Sequence, residues 1–177
     1  MVNMQPYFKH LTNLPVLPDK YILEGLYSKF ELIKRPNLLR GVSSFEETSF
    51  FKLLKDRYEI CYVSYCQSPA NSCYNWHIDL NRNVGINWVI KTNTKAGTYY
   101  KEPIEEFNPG EGVNPLFHKL IEVDYKLYNP MLLNTGLEHC VINNYSETRI
   151  IMTLSILNNA KFAEVSDFLS KLNIESY

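Results

Sequence analysis

Nowhere in the 177 residues does an apolar run approach the roughly 20 residues of a membrane span, and the opening MVNMQPYFKH lacks the basic-then-apolar order of a secretion signal. The expectation is a cytoplasmic chain with no membrane partner. Cysteine is scarce: four residues, Cys61, Cys66, Cys73 and Cys140, are too few for a disulfide scaffold of this length and read as thiols in a reducing compartment. Charge of either sign is lacking in excess, since 18 basic residues face 19 acidic ones and leave a net charge of -1. A broad basic surface is therefore absent, and nucleic acid is not an expected partner. Internal repeats, low-complexity tracts and linker-like segments are absent too, so residues 1–177 read as one domain, a length that supports a full core.

What the chain has is apolar and aromatic side chains, 45% and 14% of the residues, with 13 Tyr and 9 Phe, a composition that leans toward β structure. Prolines at 6, 15 and 18 predict an irregular start. From Lys20 to Lys34, Ile22, Leu23, Leu26, Tyr27, Phe30 and Ile33 recur at helical spacing, with Asp19 as the expected cap. Ser44 followed by Glu47 has the form of a capping box and predicts a second helix ending near Arg57. Short runs rich in Tyr, Val, Ile and Trp then predict strands at 58–65, 73–79, 84–90, 98–101, 120–128, 131–134, 139–142 and 148–157. Residues 102–117, with three prolines and two glycines, predict a long surface loop, and Phe162, Val165, Phe168, Leu169 and Leu172 predict a closing helix.

This pattern is mainly β with added helices (α+β). It fits a rolled antiparallel sandwich, a jelly roll, with N-terminal helices and a C-terminal helix flanking one outer face. Period-two alternation makes one strand explicit. Ile150, Met152, Leu154 and Ile156 share one face, and Arg149, Ile151, Thr153 and Ser155 share the other. An arginine leading the second face of a buried strand needs an anion or the solvated rim.

Residues i and i+2 of a strand point the same way about 6.6 Å apart, so His77 and Asp79 can reach one ion while Trp76 and Ile78 face away. Two ligands leave a metal under-coordinated, and a second histidine would complete the two-His, one-carboxylate face that suits ferrous iron with open positions. His139, between the turn-like Asn134-Thr135-Gly136 and the apolar Val141-Ile142, is the candidate; His10 and His118 lie in segments where solvent exposure is expected. Arg149 follows ten residues later, across the turn-like residues 143–147. A hairpin there would set it on the strand beside His139.

His77-x-Asp79, then His139, then Arg149 resembles the iron(II) and 2-oxoglutarate-dependent oxygenase superfamily over roughly residues 58–157. The stretch NRNVGINWVI is similar to small aspartyl/asparaginyl-hydroxylase-like and prolyl-hydroxylase-like members. The resemblance implies a double-stranded β-helix (cupin-like) with iron(II) on His77, Asp79 and His139, and Arg149 on the distal carboxylate of 2-oxoglutarate. It further implies O2 as the oxidant and a small-molecule or peptide substrate hydroxylated at a C–H bond, with the intact Asp79 favouring hydroxylation over halogenation. Asn87 is placed to reach the cosubstrate. The usual hydroxyl two residues after the arginine is missing, since Ile151 stands there, so Thr153 on the same face and Tyr65 or Tyr62 on the first core strand are the candidate donors.

Arg82, three residues past Asp79, either pairs with a carboxylate or faces solvent, whereas Glu138 and Cys140 are read off the metal face. Three rival readings stand beside the oxygenase: a cupin-like metalloenzyme without 2-oxoglutarate, a metal-free jelly-roll binding module, and a zinc site from Cys66, Cys73 and His77, which would need a sharp loop to bring its ligands together.

Overall fold

The computed structural model describes residues 6–32, 39–58, 60–79, 82–93, 95–103, 118–157 and 160–177. Among these residues, eleven strands and three α-helices follow one another as β1 (Phe8–His10), α1 (Asp19–Tyr27), β2 (Glu31–Leu32), β3 (Leu39–Val42), α2 (Ser49–Arg57), β4 (Ile60–Ser68), β5 (Ser72–His77), β6 (Arg82–Lys91), β7 (Ala96–Pro103), β8 (His118–Glu122), β9 (Pro130–Asn134), β10 (His139–Asn143), β11 (Arg149–Leu157) and α3 (Phe162–Ser170). The strands form two antiparallel sheets, a seven-stranded one in the order β1-β9-β6-β11-β4-β3-β2 and a four-stranded one in the order β5-β10-β7-β8. The mainly β jelly roll expected from the strand pattern is the architecture found.

The central strand β11 shows why the layers stack as they do. Its even residues Ile150, Met152, Leu154 and Ile156 enter the main core, with Val84, Ile86, Trp88 and Ile90 of β6 beside them. Tyr21 of α1, Phe50, Phe51 and Leu54 of α2, and Phe162, Val165 and Leu169 of α3 complete that core, so all three helices cover the outer face of the larger sheet. Between the sheets the apolar filling is smaller, chiefly Tyr100, Val123, Met131 and Leu133. The rest of the inter-sheet space is lined by polar groups, and there the odd face of β11 looks.

Several local expectations are corrected. The first helix stops at Tyr27 rather than near Lys34, because Ser28 turns extended (φ -58°, ψ 142°) and the chain proceeds into β2; its N-cap is Pro18, not Asp19. The single helix from Ser44 is two pieces, a 3-10 turn over Ser44–Glu47 capped by the Ser43 hydroxyl, then α2 capped by Thr48, whose Oγ1 accepts from Phe51 N at 3.1 Å. Glu47 does not close a capping box. The irregular start includes β1, which adds to the edge of β9, and the 120–128 strand is shorter, ending at Glu122. Of the expected surface loop, residues 104–117 lie outside the described residues.

The expected hairpin between His139 and Arg149 does not form. β10 is flanked by β5 and β7 in one sheet, β11 by β4 and β6 in the other, so the turn between them crosses from sheet to sheet. Asn143 fastens this crossing: its buried amide nitrogen reaches the carbonyls of Ser68, Pro69 and Glu147 at 3.1, 2.9 and 2.9 Å. Arg149 therefore faces His139 across the interior rather than alongside it.

Candidate metal centre

Antiparallel pairing sets His77, the last residue of β5, opposite His139, the first of β10. Further along, Tyr74 pairs with Val141, so three steps on β5 match two on β10. This bulge shifts the side-chain alternation and brings both Tyr74 and His77 to the inner cavity. The Tyr74 ring stands edge-on to the His77 imidazole at 4.2 Å between centroids. Past the strand end, Asp79 N donates to Thr135 O at 3.1 Å, which holds the carboxylate at the mouth of the same cavity.

Each imidazole is oriented by its own backbone. His77 Nδ1 lies 2.6 Å from Asn75 O and His139 Nδ1 2.9 Å from Leu137 O. A carbonyl only accepts, so Nδ1 carries the hydrogen and Nε2 keeps its lone pair, the tautomer a metal requires. The rings are 4.3 Å apart, His77 Nε2 is 3.6 Å from Asp79 Oδ1, and one ligand atom from each of His77, Asp79 and His139 lies within 4.8 Å of the others. Among the described residues no other group of His, Cys, Asp and Glu converges in this way. Neither Cys66 nor Cys73 converges with His77 in such a group, which leaves the zinc reading without its ligand set.

The electrostatics keep His139 and Asp79 in their binding forms. Burial lowers the pKa of His139 to about 4, helped by the facing His77 and opposed by the Leu137 carbonyl, so the imidazole is neutral at physiological pH. For Asp79, burial alone would raise the pKa, but the Arg82 guanidinium and the two imidazoles outweigh it and hold the carboxyl below its usual range. Arg82 thus pairs with the carboxylate: Nε donates to Asp79 Oδ2 at 2.9 Å and Nη2 to the same oxygen. Its Nη1 donates to Thr153 Oγ1 at 3.1 Å and Ser155 Oγ at 3.0 Å.

Across the cavity sits Arg149, 1% exposed. Its Nη2 makes a long 3.4 Å contact to Thr98 Oγ1, while Nε and Nη1 have no hydrogen-bond partner among the described residues. The guanidinium lies 5.2 Å from the centroid of the Tyr125 ring. Asn87 Nδ2 donates to Tyr125 OH at 3.4 Å and its Oδ1 has no partner among the described residues; the hydroxyls of Thr98 and Tyr125 are 3.2 Å apart. A buried cation lacking an acceptor is costly unless an anion completes it.

His77, Asp79, His139, Arg149, Asn87 and Thr153 thus line one cavity. Tyr65 does not. Strand alternation turns it to the helix side, where its hydroxyl bonds Tyr21 O at 2.9 Å and Glu24 Oε2 at 2.8 Å, and burial is the main cause raising its pKa. It is a core tyrosine, and its assignment to the cosubstrate is corrected. Thr153 reaches the cavity but its oxygen accepts from Arg82, not Arg149. Spacing along the chain does not single out Thr98, Tyr125 or Tyr74; the facing of the two sheets brings Thr98 and Tyr125 to Arg149, and the bulge in β5 brings Tyr74 to His77.

No family model and no curated protein matches the chain. Solved structures do. A 2-oxoglutarate and iron(II) oxygenase-family oxidoreductase from Burkholderia pseudomallei aligns with a TM-score of 0.53 at 11% identity, over 78% of this chain and 76% of that one. The chain has the fold of these oxygenases. HygX from Streptomyces hygroscopicus, solved with nickel and 2-oxoglutarate bound, aligns with a TM-score of 0.55 at 13% identity over 80% and 78% of the two chains. A prolyl hydroxylase from Trichoplax adhaerens, in complex with a peptide fragment of the hypoxia-inducible-factor oxygen degradation domain, aligns with a TM-score of 0.53 at 15% identity over 85% and 83%. Among the described residues no helix is long and apolar enough to cross a membrane.

Proposed function

We propose that the chain is an iron(II)- and 2-oxoglutarate-dependent dioxygenase, one domain over residues 1–177, acting in the cytoplasm and hydroxylating a C–H bond of a peptide, amino acid or small metabolite. The observation that carries the reading is the buried guanidinium of Arg149, with two nitrogens unpartnered, across one cavity from the converging His77, Asp79 and His139. Two imidazoles and one carboxylate are the donor set that suits ferrous iron with open positions. A dicarboxylate spanning the cavity would present its distal end to Arg149, which can meet it with parallel, charge-assisted hydrogen bonds.

The bound iron would supply the redox chemistry that couples decarboxylation of 2-oxoglutarate by O2 to hydroxylation. The chain's own residues bind, orient and exclude. The backbone hydrogen bonds at Nδ1 of His77 and His139 orient the rings so that Nε2 of each faces the metal position. Asn87, Thr98 and Tyr125 offer a carbonyl and two hydroxyls around Arg149. Leu133, Val141 and Ile151 line the same cavity with apolar surface that keeps bulk water out. The related folds support the substrate classes, since HygX is seen with hygromycin B and the prolyl hydroxylase with a peptide.

An anaerobic titration tests the reading. The chain loaded with ferrous iron is titrated with 2-oxoglutarate while visible absorption is followed, and a saturable metal-to-ligand charge-transfer band is expected. Iron uptake with no such band and no binding by calorimetry would overturn it in favour of a metalloenzyme that does not use 2-oxoglutarate. No metal uptake would favour a binding module.

A further inference from the structure

We propose that Arg82 is a positioning residue that restricts Asp79 to a single metal-binding oxygen and so keeps one more coordination position open. The inference rests on the metal-centre reading above and concerns a residue that reading does not use. The two carboxylate oxygens of Asp79 are divided: Oδ1 lies 3.6 Å from His77 Nε2, on the side of the imidazoles, whereas Oδ2 accepts from both Nε and Nη2 of Arg82. For Oδ2 to join Oδ1 on an ion, it would have to leave two charge-assisted hydrogen bonds.

Arg82 is not free to follow it. Its third nitrogen, Nη1, is held by Thr153 Oγ1 at 3.1 Å and Ser155 Oγ at 3.0 Å, both on the central strand β11. The guanidinium therefore bridges the end of β5 to the middle of the opposite sheet, with the Asp79 side chain 11% exposed and that of Arg82 22% exposed. A lysine could not reproduce this, since the planar fork meets three oxygens in fixed directions and an ammonium does not.

The consequence is one of coordination number. A six-coordinate ion held by three protein atoms keeps about three exchangeable positions; a chelating carboxylate would reduce them to about two. A two-point cosubstrate and O2 together need the larger number.

Water-proton relaxation of the chain loaded with manganese(II), with no cosubstrate added, reads that number directly. Arg82→Met should lower the relaxivity per bound ion by about a third, the loss of roughly one water in three. Thermal unfolding of the same samples separates this from bracing of the fold: a lower melting temperature with unchanged relaxivity per bound ion overturns the proposal. Should Arg82→Met not fold, the double substitution Thr153→Val and Ser155→Ala keeps the guanidinium but cuts its anchor, and it should lower the relaxivity part-way; no change there also overturns it. If the parent chain takes up no manganese, the metal-centre reading falls with it, whereas uptake with relaxivity insensitive to both variants removes only the role of Arg82.

Discussion

Arg149 is the residue whose behaviour separates this chain from other two-histidine, one-carboxylate proteins. A hydrogen bond to a charged group contributes about 1.5–3 kcal/mol, and each 1.4 kcal/mol is tenfold in affinity. Arg149→Ala should therefore weaken 2-oxoglutarate by roughly ten- to a hundredfold in calorimetry, with manganese affinity within about twofold of the parent. Arg149→Lys should recover only part, because it restores charge without the fork. Equal cosubstrate affinity in parent and alanine variant would make Arg149 structural. His77→Ala or His139→Ala should do the converse, abolishing stoichiometric metal uptake with little loss of fold, since the removed side chains line a polar cavity rather than the main core. Retained uptake in either variant would remove it from the ligand set. His77, Asp79, His139 and Arg149 were legible because strand spacing sets His77 and Asp79 at i and i+2, a turn and an apolar flank fix His139, Arg149 leads the polar face of an amphipathic strand, and the four together resemble a known family pattern. Arg82, Thr98 and Tyr125 were not, since their roles depend on which strands oppose which.

At the scale of elements, alternation held over the long strands and failed where backbone pairing intervenes. The two faces of β11 could be read directly, and its apolar face is the one on the helices. The bulge in β5 could not, because one extra residue against β10 changes no composition. Nor could the end of α1: the helical spacing continues through Phe30 and Ile33, but the chain leaves the helix at Ser28 and pairs as β2 with β3. Tyr65 was lost to the same cause, a face assigned without knowing where the helices dock. That docking is close at Gly25 of α1, where an added Cβ would come within 2.6 Å of Ile90 Cδ1 and 2.8 Å of the Tyr65 ring. The ring is pinned by its two hydroxyl contacts and cannot swing aside. Gly25→Ala should therefore destabilise the chain by about 1–3 kcal/mol despite alanine's better helix propensity, read as a lower urea midpoint with unchanged slope. An unchanged or higher midpoint would show that the layers separate without cost.

On the scale of the whole molecule, the two sides of the larger sheet have opposite duties. The helix side is filled by an aromatic and aliphatic core, and the inner side carries buried Asn87, Arg149 and Thr153, which face Thr98 and His139 of the smaller sheet across a cavity. A fold that keeps at 1% exposure a guanidinium with two nitrogens unpartnered among the described residues gives up stability in its free state for a site that an anion completes. This yields a prediction with opposite signs under two conditions. Without ligand, Arg149→Met should raise the urea midpoint, because an apolar side chain of similar length replaces a buried, half-satisfied cation whose removal from water costs several kcal/mol. With metal and 2-oxoglutarate at about 100 times the dissociation constant, the parent gains about 2.7 kcal/mol by mass action while the methionine variant, binding weakly, gains little. The difference in stability should therefore shrink or invert as cosubstrate is added. Denaturation curves of both chains with and without 2-oxoglutarate measure it, and a difference that stays constant would mean that the anion this cavity is built for binds elsewhere.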